Sequence, residues 1–141
     1  MDKISFAVYG PPQGKARPRV VRMKNGRTMS YTPDKTVAYE ELVRKKYLET
    51  AGHPLLWEGP VSVQIIAEYP IPKSVSRKKT ALMLNGDMRP TKKPDWDNIG
   101  KIICDSLNGI AYKDDAQIIQ AIVIKRYSDF PQVCVTIGRT E

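Results

Sequence analysis

Residues 95–108 carry the strongest pattern in the sequence, and this pattern limits how the rest of the chain can fold. At about 100° per residue, six side chains of this segment, five of them apolar, fall within roughly 140° of a helix circumference. They are Trp96, Ile99, Ile102, Ile103, Ser106 and Leu107. The opposite side is polar and holds Asp97, Asn98, Lys101, Asp105 and Asn108. The segment therefore predicts a helix that buries one side, presents the other to solvent and stops near Gly109.

Strand-type segments before and after this helix supply a surface on which it can pack. Residues 4–9 alternate in polarity, and residues 61–69 place Val61, Val63, Ile65 and Ala67 on one face. Two further strands are predicted at residues 117–127 and 132–137, joined by a turn at residues 128–131.

The remaining elements are shorter or less strongly patterned. Asn25-Gly26 predicts a hairpin over residues 20–31. A helix is expected to about residue 50, with Thr32 as its cap and Pro33 at its first position. A short basic helix is expected at residues 74–84, and loops at residues 52–60 and 85–94. The pattern predicts an α+β fold: a single compact domain over residues 1–141, with a mixed β-sheet of about five strands packed with two or three helices.

Several classes of protein are excluded by what the sequence lacks. No apolar run approaches the roughly 18 residues of a membrane helix, and we expect neither a signal peptide nor a membrane partner. Cys104 and Cys134 are too few for a disulfide scaffold, which favours reduced thiols in the cytoplasm. Catalysis that depends on histidine is not expected, because His53 is the only histidine.

The positive charge is concentrated in the first two thirds of the chain. The net charge is +8, and residues 91–141 contribute none of it because their acids and bases balance. Residues 15–27 contain no acid and six cations, which are predicted to contact DNA: Lys15, Arg17, Arg19, Arg22, Lys24 and Arg27. Such a distribution favours a polyanionic partner, most simply nucleic acid.

Aspartates gather on the polar side of the predicted helix and just after it. Asp97, Lys101 and Asp105 are spaced i, i+4, i+8 along one line, and Asp95 lies at the helix start. If the next strand packs beside the helix, Asp115 returns towards this side, and Asp95, Asp97 and Asp115 could share a divalent cation. Such a cation polarises a phosphate or activates water, and Lys101 would hold the scissile phosphate. Asp105 is interpreted as a solvated residue outside the site.

Each of these residues also has a structural interpretation. Asp95 or Asp97 could only cap the helix, and Asp114-Asp115 could form a solvated turn. Trp96 is expected to pack against the core rather than to stack on a base.

Taken in order, these residues resemble the RusA family of Holliday-junction resolvases, found in bacteria and prophages. The resemblance rests first on the segment Lys93-Pro94-Asp95-Trp96-Asp97-Asn98-Ile99-Gly100-Lys101. Two later segments also match: Asp105-Ser106-Leu107-Asn108-Gly109 and Tyr112-Lys113-Asp114-Asp115-Ala116-Gln117-Ile118. Near the start of the chain, the matching segment is Gly10-Pro11-Pro12-Gln13-Gly14-Lys15-Ala16-Arg17-Pro18-Arg19.

This resemblance implies a homodimeric endodeoxyribonuclease of the bacterial cytoplasm that depends on Mg²⁺, with Mn²⁺ as a substitute. It would resolve branched DNA, the four-way (Holliday) junction, by paired symmetric nicks in recombination and repair. By position, Asp95, Asp97 and Asp115 correspond to the essential metal-binding and catalytic carboxylates, and Lys101 to the essential lysine. Asp114 corresponds to the neighbouring acid that would support the site.

Two other functions remain open from the sequence. One is a metal-dependent nuclease for flaps, forks or other branched DNA, because nothing in the motif encodes four-way geometry. The other is a non-catalytic DNA-binding protein, in which the aspartates only cap and turn the chain.

Overall fold

A computed structural model describes residues 3–53 and 57–139. Its elements are β1 (Lys3–Tyr9), β2 (Arg19–Arg22), β3 (Thr28–Tyr31), α1 (Asp34–Ala51), β4 (Val61–Pro70), α2 (Arg77–Asn85), α3 (Trp96–Ser106), β5 (Ile118–Ser128) and β6 (Gln132–Arg139). One turn of 3-10 helix at Asp115–Gln117 leads into β5. The predicted α+β fold is confirmed, although these ranges hold six strands rather than about five. The middle of the predicted loop at 52–60 lies outside the described residues.

The main sheet is mixed and has the order β1-β6-β4-β5. β4 runs parallel to β5 and antiparallel to β6, so that Val63 lies between Ala121 and Ile137. The two last strands of the chain are therefore not neighbours, because β4 lies between them. The turn at residues 128–131 carries the chain past the end of β4, and β5 becomes an edge strand.

Two helices, α1 and α3, cover one face of this sheet. The inward residues of β4 are almost completely buried, among them Val61, Val63 and Ile65. Ile99, Ile102 and Ile103 of α3 are fully buried, as the helical pattern predicted. α3 packs against β5 at Gly100, where a Cβ atom would be in ordinary van der Waals contact, 3.6 Å from Cγ2 of Val123. Because the apolar side of α3 is buried against the sheet, its polar side lies on the surface of the protein.

The helix boundaries differ slightly from the predictions. α1 begins at Asp34 with Pro33, not Thr32, at the cap position, and the Pro33 carbonyl accepts from the backbone N–H of Thr36. α2 begins at Arg77, where Ser76 Oγ accepts from the backbone N–H of Lys79. α3 ends at Ser106, before the predicted stop at Gly109. These shifts are of the size expected at frayed helix ends.

Strands β2 and β3 form the hairpin that was predicted for residues 20–31, and this hairpin is separate from the main sheet. All eight strand residues are exposed. The turn is held by Met23 N–H donating to the Arg27 carbonyl at 2.7 Å and by Arg27 N–H donating to Asn25 Oδ1 at 3.0 Å. Gly26 has φ +84°, a conformation that glycine adopts easily. The hairpin is therefore an arm on the surface of the domain.

Within the described ranges, none of the helices has the length and apolar character needed to cross a membrane. Cys104 and Cys134 are both free thiols.

Candidate active site

The N-terminus of α3 presents two carboxylates to solvent. Asp95 occupies the cap position, but its side chain makes no capping hydrogen bond; its backbone carbonyl accepts from Ile99 N–H at 3.0 Å. Asp97 lies in the first turn, and both aspartates are exposed. The interpretation of Asp95 as a side-chain cap is therefore wrong, and its carboxylate remains available to a ligand.

Burial is the main reason that the pKa of Tyr69 rises to about 12, and the charge of Asp95 adds to the rise. The Tyr69 hydroxyl donates to the Pro94 carbonyl, which ties β4 to the residue before Asp95. This contact fixes where the start of α3 lies relative to the sheet.

The segment after β1 docks directly on the first turns of α3. Lys15 N–H donates to the Asn98 carbonyl at 3.0 Å. A Cβ atom on Gly14 would lie 3.1 Å from Cβ of both Pro94 and Asn98, closer than most real contacts, so only glycine fits without displacement. Between the two segments runs a groove of about 400 Å³ that Asp95 also lines. The sequence contained both segments but gave no signal that they touch.

Lys15 is held inside this arrangement by two carboxylates. Its Nζ lies 3.0 Å from Glu40 Oε2 on α1 and 3.4 Å from Asp105 Oδ2 on α3, and only 21% of its side chain is exposed. Burial alone would lower the pKa of Lys15, but the hydrogen bond and charge of Glu40, together with Asp105, raise it. Lys15 thus differs from the other cations predicted to contact DNA, because it links α1 to α3.

A second acidic group lies at the C-terminal end of α3. Burial raises the pKa of Asp115, as do hydrogen bonds to Asp105 and Asp114 and the negative charges of both. Asp105 also lies 3.8 Å from Nζ of Lys101, whose side chain is 61% exposed. Asp105, predicted to lie outside the site, therefore contacts its acidic residues. In the sequence, the signal for the contact between Asp105 and Lys101 was that both residues lie on one helical line.

Gln117 fixes the turn that carries Asp114 and Asp115. Its Oε1 accepts from the backbone N–H groups of Lys113 and Asp114 at 3.0 and 3.3 Å. Its Nε2 donates to the carbonyls of Trp57 and Gly59 at 2.8 and 2.9 Å. This amide was not among the predicted site residues, because its partners lie about 60 residues earlier in the chain.

The predicted carboxylates occupy two ends of one helix. Asp97 and Asp105 are eight residues apart, or about 12 Å along the axis, and Asp115 lies at the Asp105 end. Among residues 3–53 and 57–139, no three His, Cys, Asp or Glu side chains are grouped so as to hold a metal ion. The sharing of one cation by Asp95, Asp97 and Asp115 therefore stays a prediction, and Lys101 lies between the two ends of α3.

The hairpin arm carries free positive charge. Five of the cations predicted to contact DNA are exposed and form none of the ion pairs found in the described part of the chain: Arg17, Arg19, Arg22, Lys24 and Arg27. An isolated two-stranded hairpin is only marginally stable in water. Exposed cations that have no ion-pair partner are suited to contacts with DNA phosphates.

Trp96 does not pack against the core, contrary to the prediction. It is 66% exposed, whereas Ile99 and Leu107 on the same arc are fully buried. The physical reason is its place as the first residue of α3: side chains lean towards the helix N-terminus, so this one extends past the covered part of the helix.

Comparison with known proteins shows the family of this chain. The sequence profile of the family described as endodeoxyribonuclease RusA matches residues 9–138. The uncharacterized protein YqaN of Bacillus subtilis (strain 168) is 39% identical over 139 residues, which cover 97% of this chain and 96% of YqaN. The matched range includes the docked N-terminal segment, the hairpin arm, α3 and the turn that carries Asp115. The chain therefore belongs to the RusA endodeoxyribonuclease family.

Proposed function

We propose that this protein is a Mg²⁺-dependent endodeoxyribonuclease that resolves four-way DNA junctions in recombination and repair. It acts by paired, symmetric phosphodiester hydrolysis in the bacterial cytoplasm. The observation that carries the proposal is the placement of Asp95, Asp97, Lys101 and Asp115 along one exposed helix side and the turn after it. This helix belongs to a chain that the family profile matches almost from end to end.

The donor groups suit a hard cation. Mg²⁺ is commonly held by one or two carboxylates together with waters and substrate phosphates, so a cage of three protein ligands is not required. Burial is the main cause of the raised pKa of Asp115, and the repulsion from Asp105 and Asp114 that adds to it is the kind of interaction that a bound cation relieves. Asp95 and Asp97 at one end of α3, and Asp115 at the other, would hold the metal. When bound, Mg²⁺ or Mn²⁺ supplies activated water and charge neutralisation at the phosphate.

The remaining groups position the DNA. Lys101 lies between the two acidic ends with its ammonium largely in solvent, where it would neutralise charge that develops on the phosphate. The exposed arginines of the hairpin arm would hold the phosphates of a neighbouring strand. Lys15 serves this function indirectly, because it orients Asp105 and the segment that docks on α3.

We propose that the active form is a homodimer. A four-way junction has two-fold symmetry, which a dimer with the same symmetry matches. Because one chain keeps Asp97 and Asp115 at opposite ends of α3, a second copy would also supply the carboxylates that complete each metal site. Mixing the inactive variants Asp97→Asn and Asp115→Asn should then restore part of the cleavage activity. If the mixture is no more active than either variant alone, each metal site is built within one chain.

The direct test uses a synthetic mobile four-way junction with and without Mg²⁺. We expect paired nicks at symmetric positions only when Mg²⁺ or Mn²⁺ is present. Asp97→Asn should abolish nicking and leave junction binding in EDTA unchanged. Asp34→Asn is the matched control, since Asp34 is an exposed acid in the first turn of α1.

The same assay separates the alternatives. Normal nicking by Asp97→Asn would refute the assignment of the site. Faster cleavage of flaps or forks than of junctions would identify a different branched substrate. If alanine at Asp95 and Asp115 changes nothing and Mg²⁺ has no effect, the protein binds DNA without cutting it.

A further inference from the structure

Trp96 has no structural role that accounts for its place on the surface. Its side chain is 66% exposed at the first position of α3, directly between Asp95 and Asp97. Within the part of the chain that the structure describes, its ring stacks on no other ring and lies under no cation, and its indole N–H donates no hydrogen bond. The indole therefore has a face that is open to a flat ligand.

We propose that Trp96 stacks on a DNA base that has left the helical stack at the branch point. This inference rests on the proposed function. It adds a contact with a DNA base to the proposed contacts with DNA phosphates. An indole face stacks on any of the four bases, and aromatic residues in sites for unpaired nucleic acid commonly do so. Since Trp96 is adjacent in sequence to two of the proposed metal-binding aspartates, the base it takes would lie next to the phosphate that is cut.

Charge favours DNA as the partner of this ring. Lys35 and Lys93 line the groove beside Asp95 together with Gln13 and Asn98, and both lysines are exposed. Neither lysine forms an ion pair among the described residues. The residue before Trp96, Asp95, therefore lines a groove whose free cations attract phosphates, and an exposed indole close in sequence to such a groove suits a nucleotide better than an apolar protein surface.

The proposal also predicts which DNA the protein prefers. In an intact duplex the faces of each base are covered by the neighbouring base pairs, so an indole can reach a base face only where the stack is broken. Branch points contain such breaks and linear duplexes do not. Trp96 would therefore strengthen binding to branched DNA and leave binding to linear duplex unchanged.

Tryptophan fluorescence tests this directly, because the chain has two tryptophans in opposite environments. Trp57 is 5% exposed and Trp96 is 66% exposed. In EDTA, a synthetic four-way junction should quench the emission of the wild-type protein, and a linear duplex of equal length should quench it much less. In Trp96→Phe, the emission that remains comes from Trp57 and should not respond to the junction.

Affinity measurements supply the second readout. Trp96→Ala should weaken junction binding on the order of 10-fold, as expected for the loss of one stacked base, and should change duplex binding less than about 2-fold. Trp96→Phe, which keeps a flat ring, should retain most of the junction affinity. Circular dichroism of both variants controls for folding, and the quenching of the wild-type protein needs no variant.

The outcomes separate this proposal from the function on which it rests. If the wild-type protein binds and nicks junctions but the emission of Trp96 does not change, or if Trp96→Ala binds junctions as tightly as wild type, only the stacking proposal is overturned. Equal loss of junction and duplex affinity in Trp96→Ala also overturns it. If the wild-type protein does not bind junctions at all, the proposed function fails and the stacking proposal fails with it.

Discussion

Replacing Lys15 with methionine should destabilise the fold, because it removes the cation between two carboxylates. Glu40 Oε2 lies 3.0 Å from Lys15 Nζ and has a side chain only 11% exposed, and Asp105 Oδ2 lies at 3.4 Å. Exposed ion pairs contribute about 0–1 kcal/mol, whereas breaking a fully buried pair costs about 3–5 kcal/mol. With both side chains mostly buried, we expect Lys15→Met to lower the free energy of unfolding by about 2 kcal/mol.

Urea unfolding followed by circular dichroism at pH 7 measures this change. Lys46→Met is the matched control, because Lys46 pairs with Glu49 at 3.4 Å where the partner is half exposed; we expect a loss below about 0.5 kcal/mol. The double variant Lys15→Met/Glu40→Gln should lose about 1 kcal/mol less than the sum of the single variants, since both remove the same interaction.

The pH dependence has a definite sign. Because the pKa of Lys15 in the folded protein is raised above 10.5, its stabilising contribution is complete below pH 10.5 and disappears as pH rises through the folded value. The stability difference between wild type and Lys15→Met should be constant near neutral pH and shrink at strongly alkaline pH. Additive single variants, or a Lys15→Met variant as stable as wild type, would refute the reasoning.

Three further predictions concern the docked segment, the hairpin arm and a partly buried thiol. Gly14→Ala should lower stability by about 1 kcal/mol and slow nicking, because its Cβ would meet Pro94 and Asn98 at 3.1 Å; Gly100→Ala, with only a 3.6 Å contact, should be neutral or slightly stabilising in the same urea assay. Arg22→Gln should reduce the slope of log binding constant against log salt concentration by about 1 and leave the free energy of unfolding unchanged, since Arg22 is exposed; an unchanged slope would mean that it does not contact phosphate. Burial raises the pKa of Cys104 to about 11, so iodoacetamide at pH 8 should label this thiol only after unfolding, as mass spectrometry of the native and urea-treated protein would show.

Most of the elements could be predicted because each depends on local pattern. The buried side of α3, the inward residues of β4 and the Asn-Gly hairpin all follow from periodicity or turn chemistry within about 15 residues. The order of the strands could not be predicted in this way. The insertion of β4 between β5 and β6 depends on pairing between residues more than 50 positions apart, which leaves no local signal.

The site was predictable in its residue types but not in its contacts. Six cations without an acid in 13 residues predicted contacts with DNA and gave no sign that Lys15 lies against Glu40 and Asp105, which are 25 and 90 residues away. The predicted arc placed Trp96 on the same side of α3 as the buried isoleucines. The angle of a residue around a helix does not show how far along the helix axis the sheet covers that side. The helical line that joins Asp105 to Lys101 was visible in the sequence, but the contacts of Asp105 with Lys15 and Asp115 depend on how other segments pack against α3.

The pairing of β1 with β6 affects when a functional protein can exist during synthesis. Lys3 pairs with Gly138 and Tyr9 with Gln132, so β1 leaves the ribosome without a partner until nearly the whole chain has followed. β6 also bonds to β4, and one late strand therefore closes the open edges of two earlier ones. Such long-range pairing slows folding and leaves strand edges open to chaperones and to other chains. In a ribosome-bound fragment that lacks β6, β1 has no partner and one edge of β4 is open, so the proposed nuclease would become active only after β6 has been made.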